Sequence, residues 1–143
     1  MAMANAAKLS AILFVFLQVA RAVSQHHTHD PQTSVAFLSQ APGVMTLNGF
    51  DRGEQRGGPS SCDRIFHGDR ESVMTINMKL YAGGSRCHIV FRVTSTQTGR
   101  SAFVEVVDEC HNCGDDEVGS SAIVWELLGL DTKAGVVPVT LGW

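Results

Sequence analysis

Three short runs in which apolar residues recur at every second position limit what this chain can fold into. In Val73 to Leu80, Met74, Ile76, Met78 and Leu80 fall on one side and Thr75, Asn77 and Lys79 on the other. Ile89, Phe91 and Val93 alternate with His88, Val90 and Arg92; Ala102, Val104 and Val106 alternate with Phe103, Glu105 and Val107. Period two is the signature of a strand with one buried face. Gly83-Gly84-Ser85 separates the first run from the second, and Thr94 to Arg100 reads as a hairpin connection to the strand that begins at Ser101. Val44-Met45-Thr46-Leu47 opens the ordered part as a further short strand, and Gly135 to Leu141 closes it. Pro138 has no N–H to donate, which predicts an edge or bulged position.

One helix is predicted. Ser120 or Ser121 can cap it through a hydroxyl, Ile123, Val124, Leu127 and Leu128 form its apolar stripe, and Gly129 suits a left-handed stop. Strands dominate over this single short helix, which favours a small barrel over a doubly wound sheet.

The amino terminus has the pattern of a signal peptide over residues 1–24. Lys8 ends a short leading region, and Leu9 to Ala20 is nearly all apolar, with only Ser10 and Gln18 polar. That run is well short of the ~20 residues a membrane-spanning helix needs. Ala22-Val23-Ser24 offers a cleavage site before Gln25, and Ala20-Arg21-Ala22 an alternative two residues earlier. Removing Lys8 and Arg21 from the eleven basic residues leaves nine against fourteen acidic ones. That balance excludes a basic nucleic-acid surface. Residues 25–43 are expected to form a His-containing arm, with Val35-Ala36-Phe37-Leu38 as its one patch able to dock, and 44–143 to form one domain.

Four cysteines remain after the leader, an even number suited to two disulfides in a secreted protein. Three pairings are open. The favoured one joins Cys62 to Cys87, tying a glycine-rich loop to a strand start, and Cys110 to Cys113 as a local clip. Cys-x-x-Cys also occurs in redox motifs and zinc sites, but neither the redox βαβ context nor a second zinc half-site is visible.

Six segments occur in an order that resembles the kiwellins, secreted plant proteins related to ripening. They are Met45-Thr46-Leu47-Asn48-Gly49-Phe50, Gly57-Gly58-Pro59-Ser60-Ser61-Cys62-Asp63, Gly83-Gly84-Ser85-Arg86-Cys87, Val106-Val107-Asp108-Glu109-Cys110, Val124-Trp125-Glu126-Leu127-Leu128-Gly129-Leu130 and Gly135-Val136-Val137-Pro138-Val139-Thr140. The resemblance covers about Val44 to Trp143. It implies a mainly β fold: a single six-stranded double-psi β-barrel with one short helix and disulfide-stapled loops, shared with barwin, expansin amino-terminal domains and family-45 endoglucanases. The chain departs from many kiwellins in a shorter, cysteine-poor stretch between Cys110 and the helix. It also lacks the cysteine-rich amino-terminal module of some members.

Asp108 is the leading site candidate. It ends an apolar strand, where a rigid scaffold can present a carboxylate. The resemblance places it where barrel enzymes of this superfamily carry an acid in the sugar groove. Three roles are open to it: bracing backbone amides, lining a binding groove, or catalysis. Glycoside hydrolysis requires a second carboxyl, about 5–5.5 Å away for retention or 6.5–9.5 Å for inversion. Asp51 and Asp63 are the candidates, although neither sits in a motif of expansins or endoglucanases. Among the rings, Trp125 and Phe91 are expected in the core, and Tyr81, beside Gly83-Gly84, is the ring expected to face solvent as a sugar platform. His67 and His88 have no evident partner spacing and read as surface or packing residues.

Cleavage before Gln25 would leave Gln25-His26-His27, whose amine, amides and imidazole can hold Cu(II) in a square plane. Cyclisation of Gln25 would block that, and the expectation is no metal and no cofactor. The leading reading is a secreted, monomeric, non-enzymatic recognition protein of the plant apoplast with a defence or ripening role. Its partner would be a microbial protein or a wall polysaccharide. Mixed charges in Asn48 to Ser61 and His111 to Gly119 favour a protein over a neutral glucan. The alternative is a cell-wall glycan-active enzyme or an expansin-like loosening factor that uses Asp108.

Overall fold

The computed structural model describes residues 39–55 and 58–143. The leader, the Val35–Leu38 patch and the Gln25-His26-His27 copper idea lie outside the described residues. No helix among those described is long and apolar enough to cross a membrane.

Six strands close into a barrel: β1 (Gln40–Leu47), β2 (Val73–Asn77), β3 (Val90–Ser95), β4 (Ser101–Cys110), β5 (Glu117–Ser120) and β6 (Val136–Gly142). Their order around the barrel is β1-β5-β2-β4-β3-β6. The β1/β5 and β2/β4 pairs are parallel, and the other four are antiparallel. Alternate side chains fill the interior: Met45, Met74, Ile76, Phe91, Val93, Val104, Val106, Val118, Val137, Val139 and Leu141 are all at most 2 % exposed.

The expected boundary between Gly43 and Val44 falls inside a strand. β1 begins at Gln40 and pairs Gln40 to Gly43 with Gly142 to Val139. These four residues have no apolar alternation, yet strand pairing uses the backbone alone. Gly43 is also required there, because a Cβ would sit 2.8 Å from the Asp116 carbonyl oxygen.

The Val73–Leu80 run is a strand only to Asn77, and both of its faces are buried. Met74 and Ile76 point inside, while Val73 packs with Phe50 and Val107 in a second small cluster. Asn77 then stops the strand. Its Oδ1 accepts the Leu80 N–H at 2.9 Å, capping a four-residue helix, α1 (Met78–Tyr81). Met78 is left 53 % exposed. Among the described residues this helix joins the expected one near the carboxyl end.

The second helix, α2 (Ala122–Leu128), buries Val124, Trp125 and Leu128, whereas Leu127 is 44 % exposed. Its apolar stripe is turned towards Trp125 relative to the sequence expectation. Ser121 occupies the cap position, but its hydroxyl donates to the Glu71 carbonyl at 2.6 Å instead of capping. Gly129 ends the helix at φ 70°, the left-handed stop. Pro138 lies one residue beyond the Ser95–Val139 end of the β3 ladder, and its carbonyl accepts Thr96 N–H at 3.3 Å. The missing N–H of Pro138 therefore interrupts no β3–β6 pair.

Candidate functional site

A bulge sets the position of Asp108. Met74 is opposite Val106 and Thr75 opposite Asp108, so Val107 is the extra residue in β4. A bulge re-aims the side chains that follow it. Parallel partners point to the same side, so Asp108 shares the Thr75 face, away from the barrel interior. It lies against the segment that carries Cys62.

Asp108 is 9 % exposed. Its Oδ1 accepts the Ser61 N–H at 3.0 Å and the Glu109 N–H at 2.9 Å. The neighbouring Cys62 N–H donates to the Val107 carbonyl at 3.1 Å, and disulfides join Cys62 to Cys87 and Cys110 to Cys113. The loop is thus fastened to the end of β4 by a carboxylate, a backbone bond and a covalent link. Within it the Ser60 N–H donates to the Ile65 carbonyl and the Arg64 N–H to the Ser60 carbonyl, with Arg64 held at φ 64°. A non-glycine residue in that region is strained by about 1–2 kcal/mol.

Two hollows border this fastening. One, about 230 Å³, is lined by Gln55, Gly58, Pro59, Ser61, Asp108, Glu109 and His111. The other, about 420 Å³, is lined by Pro59, Ser60, Ser61, Arg64, Tyr81 and Glu109. They share Pro59, Ser61 and Glu109 and so form one open, polar trough. A wider hollow of about 630 Å³ lies beyond Gln55, lined by Leu47, Gly49, Gly53, Glu54, Gln55 and Asp69. There the Asp69 charge, some burial and Asp51 push the Glu54 carboxyl above its ordinary value.

Asp108 and Tyr81 both border the trough, but Tyr81 is not an exposed platform. It is only 8 % exposed, and its hydroxyl lies 3.4 Å from Cys87 Sγ and 3.9 Å from Cys62 Sγ. The αL residue Ala82 ends α1 immediately after it. Burial first, then the Glu109 and Asp108 charges, raise its phenol above the ordinary 10.0 against a smaller opposing pull from Arg64.

Asp51 and Asp63 are engaged elsewhere and do not line the trough. Asp51 accepts the Asp69 N–H at 3.1 Å. Asp63 accepts from the Ser60 hydroxyl and the Ile65 N–H. Burial alone would raise its pKa, but these bonds and His67 outweigh it and hold the carboxyl below 3.8.

His67 is not isolated. Its Nδ1 lies 2.9 Å from Glu71 Oε2 and its Nε2 3.2 Å from Asp63 Oδ2. His88 has a partner too, with Nδ1 2.7 Å from Glu105 Oε1. Glu109, Arg64 and His111 also line the trough, His111 as the first residue of the mixed-charge stretch His111 to Gly119. Glu109 was visible as the neighbour of Asp108. Arg64 carries no signal, because a turn brings it to the trough. No group of three or more His, Cys, Asp or Glu among the described residues is arranged to hold a metal ion.

The closed six-stranded barrel with two parallel pairs and a bulged strand is a double-psi β-barrel, the fold of its structural neighbours. The expansin of Clavibacter michiganensis shares this fold, with a TM-score of 0.58 at 23 % identity over 72 % of this chain. The match spans about half (49 %) of the expansin. A Streptomyces papain inhibitor matches 74 % of this chain and 94 % of its own, with a TM-score of 0.57 at 19 % identity.

Within that class the chain belongs to the kiwellin family: the Kiwellin-1 family model matches residues 19–143. Putative ripening-related protein 6 of Oryza sativa subsp. japonica is 42 % identical, over 96 % of this chain and 98 % of that protein. Kiwellin of Actinidia chinensis var. chinensis is 36 % identical, over 80 % of this chain and 59 % of that protein. The chain is thus a plant kiwellin-like protein.

Proposed function

We propose that this is a secreted, non-enzymatic recognition protein of the plant apoplast that binds a microbial protein in the trough at the end of β4. The observation that carries this reading is the lining of the trough. Arg64, Asp108, Glu109 and His111 place both charge signs along a few residues of an open hollow, and no exposed ring lines it. Mixed charge selects a partner by complementarity, which a protein surface offers and a neutral glucan does not. Asp108 braces the loop, with two backbone donors on its Oδ1. Asp51 and Asp63, the proposed second carboxyls, are tied to other groups.

One observation favours a glucan ligand as the second reading. An asparagine-substituted mutant of the Clavibacter michiganensis expansin, which shares the fold, is known in complex with cellohexaose. Calorimetric titration of the full chain with cellohexaose, beside a reducing-end assay on soluble glucans, separates the two. The protein-recognition reading expects neither heat nor reducing ends. Binding that is lost in Glu109→Ala would move the function to glycans, and reducing-end release would make the chain an enzyme.

A further inference from the structure

A histidine that fits only one protonation state is connected through Asp63 to Ser60, a lining residue of the trough. The His67 side chain is 8 % exposed, and each of its ring nitrogens faces a carboxylate: Glu71 on Nδ1 and Asp63 on Nε2. A neutral imidazole has one N–H and one lone pair, so it can donate to one carboxylate while turning a lone pair towards the other. Only the imidazolium donates to both. Asp63 passes the connection on, accepting from the Ser60 hydroxyl and the Ile65 N–H, and Glu71 accepts the Gly68 N–H at 2.8 Å. Ser60 and Arg64 are themselves lining residues. From the preceding loop, Asp51 accepts the N–H of Asp69, and the Arg52 guanidinium lies 4.0 Å over the Phe66 ring, next to His67 in the chain. The charges that act on the imidazole are those of Asp63 and Glu71.

We propose that His67 is a proton-operated clasp: charged, it ties Asp63 to Glu71 and holds the Ser60–Arg64 wall in its binding arrangement, and neutral, it releases Asp63 and loosens that wall. The regulatory meaning rests on the trough being the recognition surface, whereas the clasp is a property of the free protein. Burial would lower the pKa of His67, but its bonds to Glu71 and Asp63 outweigh this and raise it above 6.5. The clasp is therefore fully formed below 6.5 and is lost as pH rises through the raised value. At the acid end the sign reverses. Asp63 is held below 3.8, so its contribution is present above 3.8 and lost as pH falls through the lowered value. Weak acid is the window in which the wall is fixed.

An NMR pH titration of the full chain tests this, following the His67 ring protons and the backbone amides of Ser60, Arg64 and Ile65. The expected result is one shared midpoint above 6.5 for ring and amides. His67→Gln should remove the amide step. Because that change at a buried site could disturb folding, Glu71→Gln at the exposed partner is the second variant, and it should lower the ring and amide midpoints together. A His67 midpoint at or below 6.5, or amides that stay still while the ring titrates, would overturn the clasp. A trough that binds no partner would remove the recognition function and leave these titrations as described, so the two failures are distinguishable.

Discussion

Asp108 takes both of its donors, the N–H groups of Ser61 and Glu109, on the single oxygen Oδ1. An asparagine has that same oxygen, so Asp108→Asn should keep both bonds and lose only the charge that strengthens them. Asp108→Ala removes both of these hydrogen bonds, which at about 0.5–1.5 kcal/mol each costs about 1–3 kcal/mol. Urea unfolding should therefore show a loss of that size for the alanine variant and less than about 1 kcal/mol for the asparagine. Equal losses would mean that the charge, not the geometry, holds the loop. Asp108 could be picked out from its place at the end of a strand. The Asp63–His67–Glu71 arrangement could not, because spacing by four normally signals neighbours on a helix, and here the residues lie in a loop. Tyr81 was misplaced for a related reason: adjacent glycines suggest exposure, but the ring is buried with its hydroxyl against the Cys62–Cys87 disulfide.

At the scale of elements, β3, the first part of β4 and most of β6 were legible because one face of each is covered and the other is open, so period two survives in the sequence. β2 is covered on both sides, and its alternation ran misleadingly into a helix whose start depends on one Asn77 side chain. The first half of β1 was silent because Gln40 to Gly43 contribute backbone rather than apolar side chains. Truncation should expose this. Removing residues through Gly43 instead of through Leu38 forfeits the pairing of Gln40 to Gly43 with β6. That should cost about 2–4 kcal/mol more, at about 1 kcal/mol for each hydrogen bond lost. Thermal melts of the two truncated chains measure the difference, and identical melts would show that the first half of β1 adds nothing. In β5, Gly119 admits the Asn48 side chain, which donates to Thr75 Oγ1 at 2.8 Å. A Cβ there would meet Asn48 Nδ2 at 2.1 Å. Gly119→Ala should destabilise by about 1–3 kcal/mol through this overlap, measured in the same unfolding assay.

Across the molecule, the barrel supplies a rigid frame, and the loop that walls the trough is fastened to it at few points. The Cys62–Cys87 disulfide spans 25 residues and is the strongest of these. In the chain-entropy picture it contributes about 3 kcal/mol, while the Cys110–Cys113 clip, closing only three, contributes less. Replacing Cys62 and Cys87 together by serine should lower the melting temperature clearly more than replacing Cys110 and Cys113; the reverse order would put the main staple elsewhere. The family and the barrel were legible because six short segments recur in a fixed order along the chain. The trough was only partly so, because a bulge at Val107 and turns at Arg64 and His111 assemble it from places far apart in sequence. The most direct measurement of its role is capture from the apoplastic fluid of infected tissue by the full chain and by an Arg64→Glu, Glu109→Arg variant. The account predicts a microbial protein retained by the wild type, released as salt rises, and not retained by the charge-swapped variant. Equal retention by both proteins would contradict recognition through this trough.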